Sequence, residues 1–163
     1  MTGRLIEGKT MSNTYYQKVN GKAEHLVYLD HKAKELDKLL AGTKKAIIRG
    51  AAGKKSPLGG RVNVGDELYF VQTGGNMLVT HCAVVKNVHE TDKMTEEESK
   101  IFVKDNQYRL NLAKHQYERW AGKKYLCVIE VERVEPIMPF EYDRQSNMDD
   151  WVITSDINTL KKA

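Results

Sequence analysis

Cysteine is scarce in this chain: Cys82 and Cys127 are the only two among 163 residues. Each lies inside an apolar, strand-like run, a setting that suits buried free thiols rather than a secreted disulfide framework. Neither Cys-x-x-Cys nor His-Glu-x-x-His occurs, and the five histidines, at 25, 31, 81, 89 and 115, fall at no metal-ligand spacing. No metal and no cofactor are therefore expected. His81 and Cys82 are neighbours, but adjacent residues of a strand point to opposite faces, so they make no thiol catalytic pair. The Gly-x4-Gly-Lys-Ser/Thr phosphate loop is missing. No stretch approaches the roughly 18 consecutive apolar residues of a membrane span. The first 22 residues contain no apolar run that could serve as the core of a signal peptide. The expected location is the cytoplasm, with no membrane partner.

What is present suits one domain. The chain is 40% hydrophobic and 29% charged, ordinary for a globular protein and far from the composition of a disordered one. Residues 1–22, polar and rich in Thr, Asn, Gly and Lys, are expected to form an N-terminal arm, and 23–163 the domain. Glu24 to Leu29 predicts a strand. Asp30 predicts an N-cap for a helix with apolar positions Ala33, Leu36, Leu39 and Leu40, which Gly42 stops. A strand over Ala46 to Arg49, a Gly- and Pro-punctuated loop from Gly50 to Gly65 and a strand over Glu67 to Gln72 follow. Thr73-Gly74-Gly75-Asn76 predicts a hairpin turn into a long strand, Met77 to Val88. Thr95 and Glu98 form a capping-box pattern opening a helical stretch that runs to about Trp120. Tyr125 to Val134 predicts a further central strand, closed by Pro136 and Pro139. Strands of uneven spacing with helices inserted between them predict an α+β fold, a small closed or half-closed β-barrel.

Charge is unevenly distributed. Between Gly42 and Arg61 stand Lys44, Lys45, Arg49, Lys54, Lys55 and Arg61 with no acid, in a chain of 26 basic and 22 acidic residues. Outside that window the acids outnumber the bases. A concentrated basic segment on a neutral-to-acidic body suits an anionic partner, phosphate above all. Gly50-Ala51-Ala52-Gly53 could turn backbone N–H groups toward such an anion. The same segment also suits a solvated surface loop that keeps the protein soluble. Arg109, Lys114, Arg119, Lys123 and Lys124, interleaved with Tyr117 and Trp120, form a second basic stretch. Cations beside aromatic rings suit single-stranded nucleic acid, although helical spacing of Tyr117 and Trp120 equally suits core packing.

Gly42-Thr43-Lys44-Lys45-Ala46-Ile47-Ile48-Arg49 resembles the ASCH signature Gly-x-Lys-x-x-Glu-x-Arg, with Gly42, Lys44 and Arg49 in register. Val64-Gly65-Asp66-Glu67-Leu68 resembles that family's Gly-Asp-x-Leu turn, and Tyr125 to Val131 its closing strand. The resemblance covers roughly residues 25 to 135. It implies a PUA-like, ASCH-type mixed β-barrel with helices inserted between strands, and a basic cleft that binds RNA or a nucleotide-like ligand. The expected ligand-binding residues are Lys44, Arg49, Gly50, Lys54, Lys55, Arg61, Tyr69, Arg119, Trp120 and Lys123, with Trp120 and Tyr69 flanking the cleft. Some members resemble amidohydrolases of acetylated cytidine using a Lys, a Thr and a Glu, which makes Lys44 a candidate catalytic residue and a small hydrolase or nuclease the alternative function. Ile47 occupies the position of that Thr and can neither donate nor accept a proton. Arg49 is expected either to offer its planar fork to a ligand or to tie the barrel through Glu130 or Glu132.

Overall fold

The computed structural model describes residues 23–53 and 55–163. The expected arm, 1–22, and Lys54 lie outside the described residues. Among the described residues six strands follow one another: β1 (Glu24–Leu29), β2 (Ala46–Ala51), β3 (Glu67–Gln72), β4 (Leu78–Glu90), β5 (Tyr125–Glu141) and β6 (Trp151–Thr154). Helix α1 (Glu35–Ala41) separates β1 from β2, and α2 (Glu96–Asp105), α3 (Gln107–Leu110) and α4 (Lys114–Trp120) lie between β4 and β5. The strands form one mixed sheet in the order β2-β5-β4-β3-β1-β6, curled into a half-barrel. Only β1 and β3 run parallel, from Glu24 opposite Glu67 to Leu29 opposite Gln72. The expected α+β barrel with inserted helices is present, as a half-barrel with β2 and β6 at its two edges.

Alternation along β2 and β5 explains the apolar runs 46–48 and 126–129. Ile47 and Ile129 are paired across the ladder and face the interior with Val27, Leu68, Phe70 and Ala83, where α1 adds Leu36 and Leu39. Their neighbours Ile48 and Val128 point the other way, into a second core that α2, α3 and α4 supply through Val103, Leu110 and Trp120. β2 from Ala46 to Ile48 and β5 from Leu126 to Ile129 are thus buried on both faces, and each residue of these runs removes apolar surface from water. The helical insert covers the outside of the barrel wall.

Three local features depart from the sequence expectations. Asp30 caps a turn rather than the helix: its Oδ1 accepts the Ala33 N–H at 3.0 Å, but the chain then passes through Lys34 at φ 56 before α1 begins at Glu35. Leu40, expected on the buried face, is exposed. β5 does not end at Pro136 and Pro139 but continues through both to Glu141. Its ladder with β2 stops at Glu130, so beyond that point β4 is its only strand neighbour among the described residues. A proline's missing N–H costs nothing on an unpaired edge. Gly42 stops α1 as expected, at φ 79, and the Thr95–Glu98 capping box is formed in both directions. Cys82 and Cys127 are free thiols, and burial pushes Cys127 up to about 12. No helix of the described residues is long and apolar enough to cross a membrane.

Candidate functional site

An open cleft of about 850 Å³ lies on one side of the half-barrel. The turn after β1 supplies Asp30, His31 and Lys32, α1 supplies Glu35, and β2 supplies Arg49. Thr73 and Gly74 of the β3–β4 hairpin form one end. His115, Gln116, Arg119 and Trp120 of α4 form a wall, and Met148, Asp149 and Asp150 close the side next to β6. The lining is mixed in charge: Asp30, Glu35, Asp149 and Asp150 stand among Lys32, Arg49 and Arg119. Among the described residues the cations of the Gly42 to Arg61 window do not gather in this cleft, because the fold disperses them and only Arg49 lines it.

Lys44 is the clearest instance. It is 1% exposed, with its Nζ bonded to the carbonyl of Leu110 and 3.2 Å from Glu35 Oε2. Burial pulls its ammonium below the usual lysine range and the Glu35 carboxylate offsets part of that shift. Lys44 therefore sits behind Glu35 and does not line the cleft. As a regular strand predicts, Arg49 diverges from it. Arg49 lines the cleft, but its fork is not free: Nη1 donates to the Ile48 carbonyl at 2.8 Å and Nη2 to the Tyr28 carbonyl at 2.9 Å. Its Nε lies 3.3 Å from Asp150 Oδ2, off the alignment of a hydrogen bond. The guanidinium also stands 5.3 Å from the Trp151 ring. The acid it meets is Asp150, at the start of β6, rather than Glu130 or Glu132. Arg49 thus spans from one edge strand of the half-barrel to the other.

Arg49→Lys is accordingly expected to lower stability by about 2 kcal/mol, since an ammonium cannot reach two carbonyls and a carboxylate in one plane. Chemical denaturation reads the loss. A variant as stable as the parent would return the fork to the ligand.

Gly50 belongs to the β2 ladder opposite Leu126, so it presents no loop amides to an anion. Its small size serves packing: a Cβ there would come within 2.7 Å of Leu126 Cδ2 and 3.1 Å of Trp120 Cε3. Lys55 and Arg61 are exposed in the loop between β2 and β3, and Arg61 faces a neighbouring depression. Tyr69 is away from the cleft, its ring packed toward Phe140 and its hydroxyl donating to Glu67. Lys123, in the turn after α4, does not line the cleft either. Trp120 does, although it is only 6% exposed. Arg119, at 64% side-chain exposure, lies over the indole with its guanidinium 4.4 Å from the ring centroid.

The cleft also contains residues to which the sequence gave no function. Asp30 Oδ2 is 2.6 Å from His115 Nε2. Partial burial works against ionised Asp30, but the hydrogen bonds from His115 and from the Ala33 N–H outweigh it and hold the carboxyl below its usual range. Asp150 stands between two arginines, 3.8 Å from Arg119. These partners are 85 and 31 or more positions apart in sequence, so only the fold brings them together. Among the described residues no group of His, Cys, Asp and Glu side chains is arranged to hold a metal.

No protein-family model matches this sequence, and no curated protein does. Solved structures do match. The crystal structure of ASCH from Zymomonas mobilis superposes with a TM-score of 0.59 at 14% identity, over 83% of this chain and 90% of that one. A tyrosine-to-phenylalanine variant of the Zymomonas mobilis protein gives 0.58 at 15% identity, over 84% of this chain and 95% of the other. A serine-to-alanine variant gives 0.57 at 14%. The chain is therefore similar in fold to ASCH, and at such identities the likeness extends to the fold alone.

Proposed function

Starting from that ASCH-type fold, we propose that the protein binds single-stranded RNA or a nucleotide-like ligand in the cleft beside α4. The observation that carries this is the Arg119–Trp120 stack. Trp120 is built into the core, so its ring is not a bare platform for a base; Arg119 covers it. A guanidinium held 4.4 Å from an indole centroid loses little freedom when a base stacks on its outer face, and with 64% of its side chain exposed and Asp150 only at 3.8 Å it can still turn its charge to phosphate. Lys32 adds a second exposed cation on the opposite wall. The four carboxylates argue against a bare polyphosphate and favour a ligand that brings hydrogen-bond donors along with its phosphates, as nucleotides do.

Filter binding of an oligoribonucleotide over a salt series tests this. The parent protein is expected to show a steep log–log dependence, and Arg119→Ala to bind roughly ten-fold more weakly with a slope lower by about 0.7. A flat dependence, or an Arg119→Ala variant that binds as the parent does, would remove the proposal.

A second reading, a small hydrolase acting on a modified nucleoside or on RNA, draws support from His115 and Asp30. With Nε2 donating to Asp30, Nδ1 of a neutral imidazole is left to take a proton within the cleft. Under this reading His115→Gln abolishes turnover and leaves binding unchanged. Turnover that survives the substitution assigns the pair a structural role. Lys44, enclosed by Glu35 and Leu110, is not given the catalytic part.

A further inference from the structure

The cleft does not end at its own walls. A second depression of about 510 Å³ begins on the far side of Asp149 and Asp150, which line both. Its other walls are the outer edge of β6 and the loop carrying Pro57, Leu58 and Arg61. At the opposite end a hollow of about 200 Å³ around the β3–β4 hairpin shares His31, Thr73 and Gly74 with the cleft. The three adjoin one another through these shared walls, and together they offer more room than the roughly 300–1,000 Å³ that serves a compact small molecule.

Charge is spaced along these hollows rather than pooled. Arg119 stands on one side of the Asp149–Asp150 ridge and Arg61 on the other. Arg61 is exposed, follows two glycines at φ 69 and 66, and meets no carboxylate among the described residues. Resting on the nucleic-acid reading above, we propose that the ligand is an extended single strand of several nucleotides, with one phosphate at Arg119, another at Arg61, and the ridge between them. A compact polyanion placed across the ridge would meet two carboxylates with like charge. A nucleic-acid strand carries anions at intervals, and between them sugar hydroxyls and base amino groups that donate to carboxylate oxygens. The ridge thus rewards spaced phosphates and penalises clustered ones.

The test is fluorescence anisotropy on the whole chain with labelled mono-, di-, tetra- and octaribonucleotides of one repeating sequence. Affinity is expected to climb with length, the octanucleotide binding at least about ten-fold more tightly than the mononucleotide. Arg61→Ala weakens the octanucleotide by about ten-fold and lowers its log–log salt slope by about 0.7, while leaving the mononucleotide unchanged. Arg119→Ala weakens every length. Circular dichroism confirms that both exposed-site variants fold. A mononucleotide that binds as tightly as the octanucleotide, or an octanucleotide indifferent to Arg61→Ala while still sensitive to Arg119→Ala, overturns the extended strand and leaves the cleft as a single-nucleotide site. Failure of every length to bind overturns the nucleic-acid reading itself.

Discussion

Glu35→Gln is expected to destabilise the folded protein by about 3–5 kcal/mol, because it leaves the Lys44 ammonium buried without its counter-ion. Glu35 Oε2 is the carboxylate oxygen beside Lys44 Nζ, and Oε1 also accepts the Asp30 N–H at 2.7 Å. Lys44→Met should cost a comparable amount, since it strands the Glu35 carboxylate and the Leu110 carbonyl. The pair as a whole is worth far less than either half suggests. Replacing both by apolar side chains, Glu35→Leu with Lys44→Met, should recover part of the loss, the remainder reflecting the Asp30 N–H and the Leu110 carbonyl left without these partners. A pH series supplies an independent check. Burial lowers the folded-state pKa of Lys44 below its unfolded value, so between the two the unfolded chain binds more protons. Stability attributable to this group therefore rises with pH through the alkaline range. Glu35→Gln widens that window by lowering the folded pKa further, and Lys44→Met abolishes it. Urea denaturation at several pH values measures both effects. Single variants within about 0.5 kcal/mol of the parent would show that water reaches Lys44 in solution.

The second large effect lies in the wall beneath the ridge. Trp151 Nε1 donates to His25 Nδ1 at 3.0 Å, and His25 Nε2 meets Asp66 Oδ2 at 2.8 Å. An indole nitrogen can only donate, so Nδ1 must accept and Nε2 must carry the proton. Asp66 Oδ2 also accepts the Asn63 N–H at 3.0 Å. All three side chains of this chain are buried. Asp66→Ala leaves the His25 N–H without an acceptor in a dry interior, a change expected to cost about 3 kcal/mol. The measurement is denaturant unfolding, paired with nitrogen chemical shifts of the His25 ring, which report the Nε2–H tautomer in the parent protein. A loss below about 1 kcal/mol would mean that another acceptor, or water, replaces the carboxylate.

That network also gives the Gly65-Asp66 turn its physical content. Gly65 takes φ 93, a conformation that penalises any residue with a Cβ. Asp66 then holds the turn to Asn63 and to β1 through His25. From the sequence only the turn was readable; its partner His25 is 41 positions away. The same limit applies across the molecule. The strands, the Gly42 stop and the Thr95–Glu98 cap were legible because each depends on residues a few positions apart. The basic window is dispersed because linear charge density says nothing about direction: Lys44 turns inward, Arg49 lines the cleft but bonds its own barrel, and Arg61 faces a separate depression. Trp120 showed both of its sequence signals, helical core spacing and a cation at its side, and the structure gives each a part. The acids that set the character of the cleft come from two distant segments, Asp30 and Glu35 from the turn and helix after β1 and Asp149 and Asp150 from the approach to β6. No local pattern could have gathered them.

Arg49 reaches between the two outermost strands, and no backbone ladder joins β2 to β6 among the described residues. The barrel wall is thus a continuous fabric of ladders except along one line, where side chains alone make the stitch, Arg49 to Asp150 and Trp151 and Arg119 to Asp150. Fabric of this kind parts at its seam first. Opening there sacrifices the contacts of Arg49 and the longer Arg119–Asp150 pair but leaves every strand pairing intact, so its free energy lies below that of global unfolding. The seam runs beside the cleft and Asp150, so widening it changes the spacing between α4 and the ridge and loosens the first core only where Trp151 packs into it. Amide protons at the free edges of β2 and β6 would then exchange with solvent by this local parting, while those of β4, held by ladders on both sides, wait for the whole sheet to come undone.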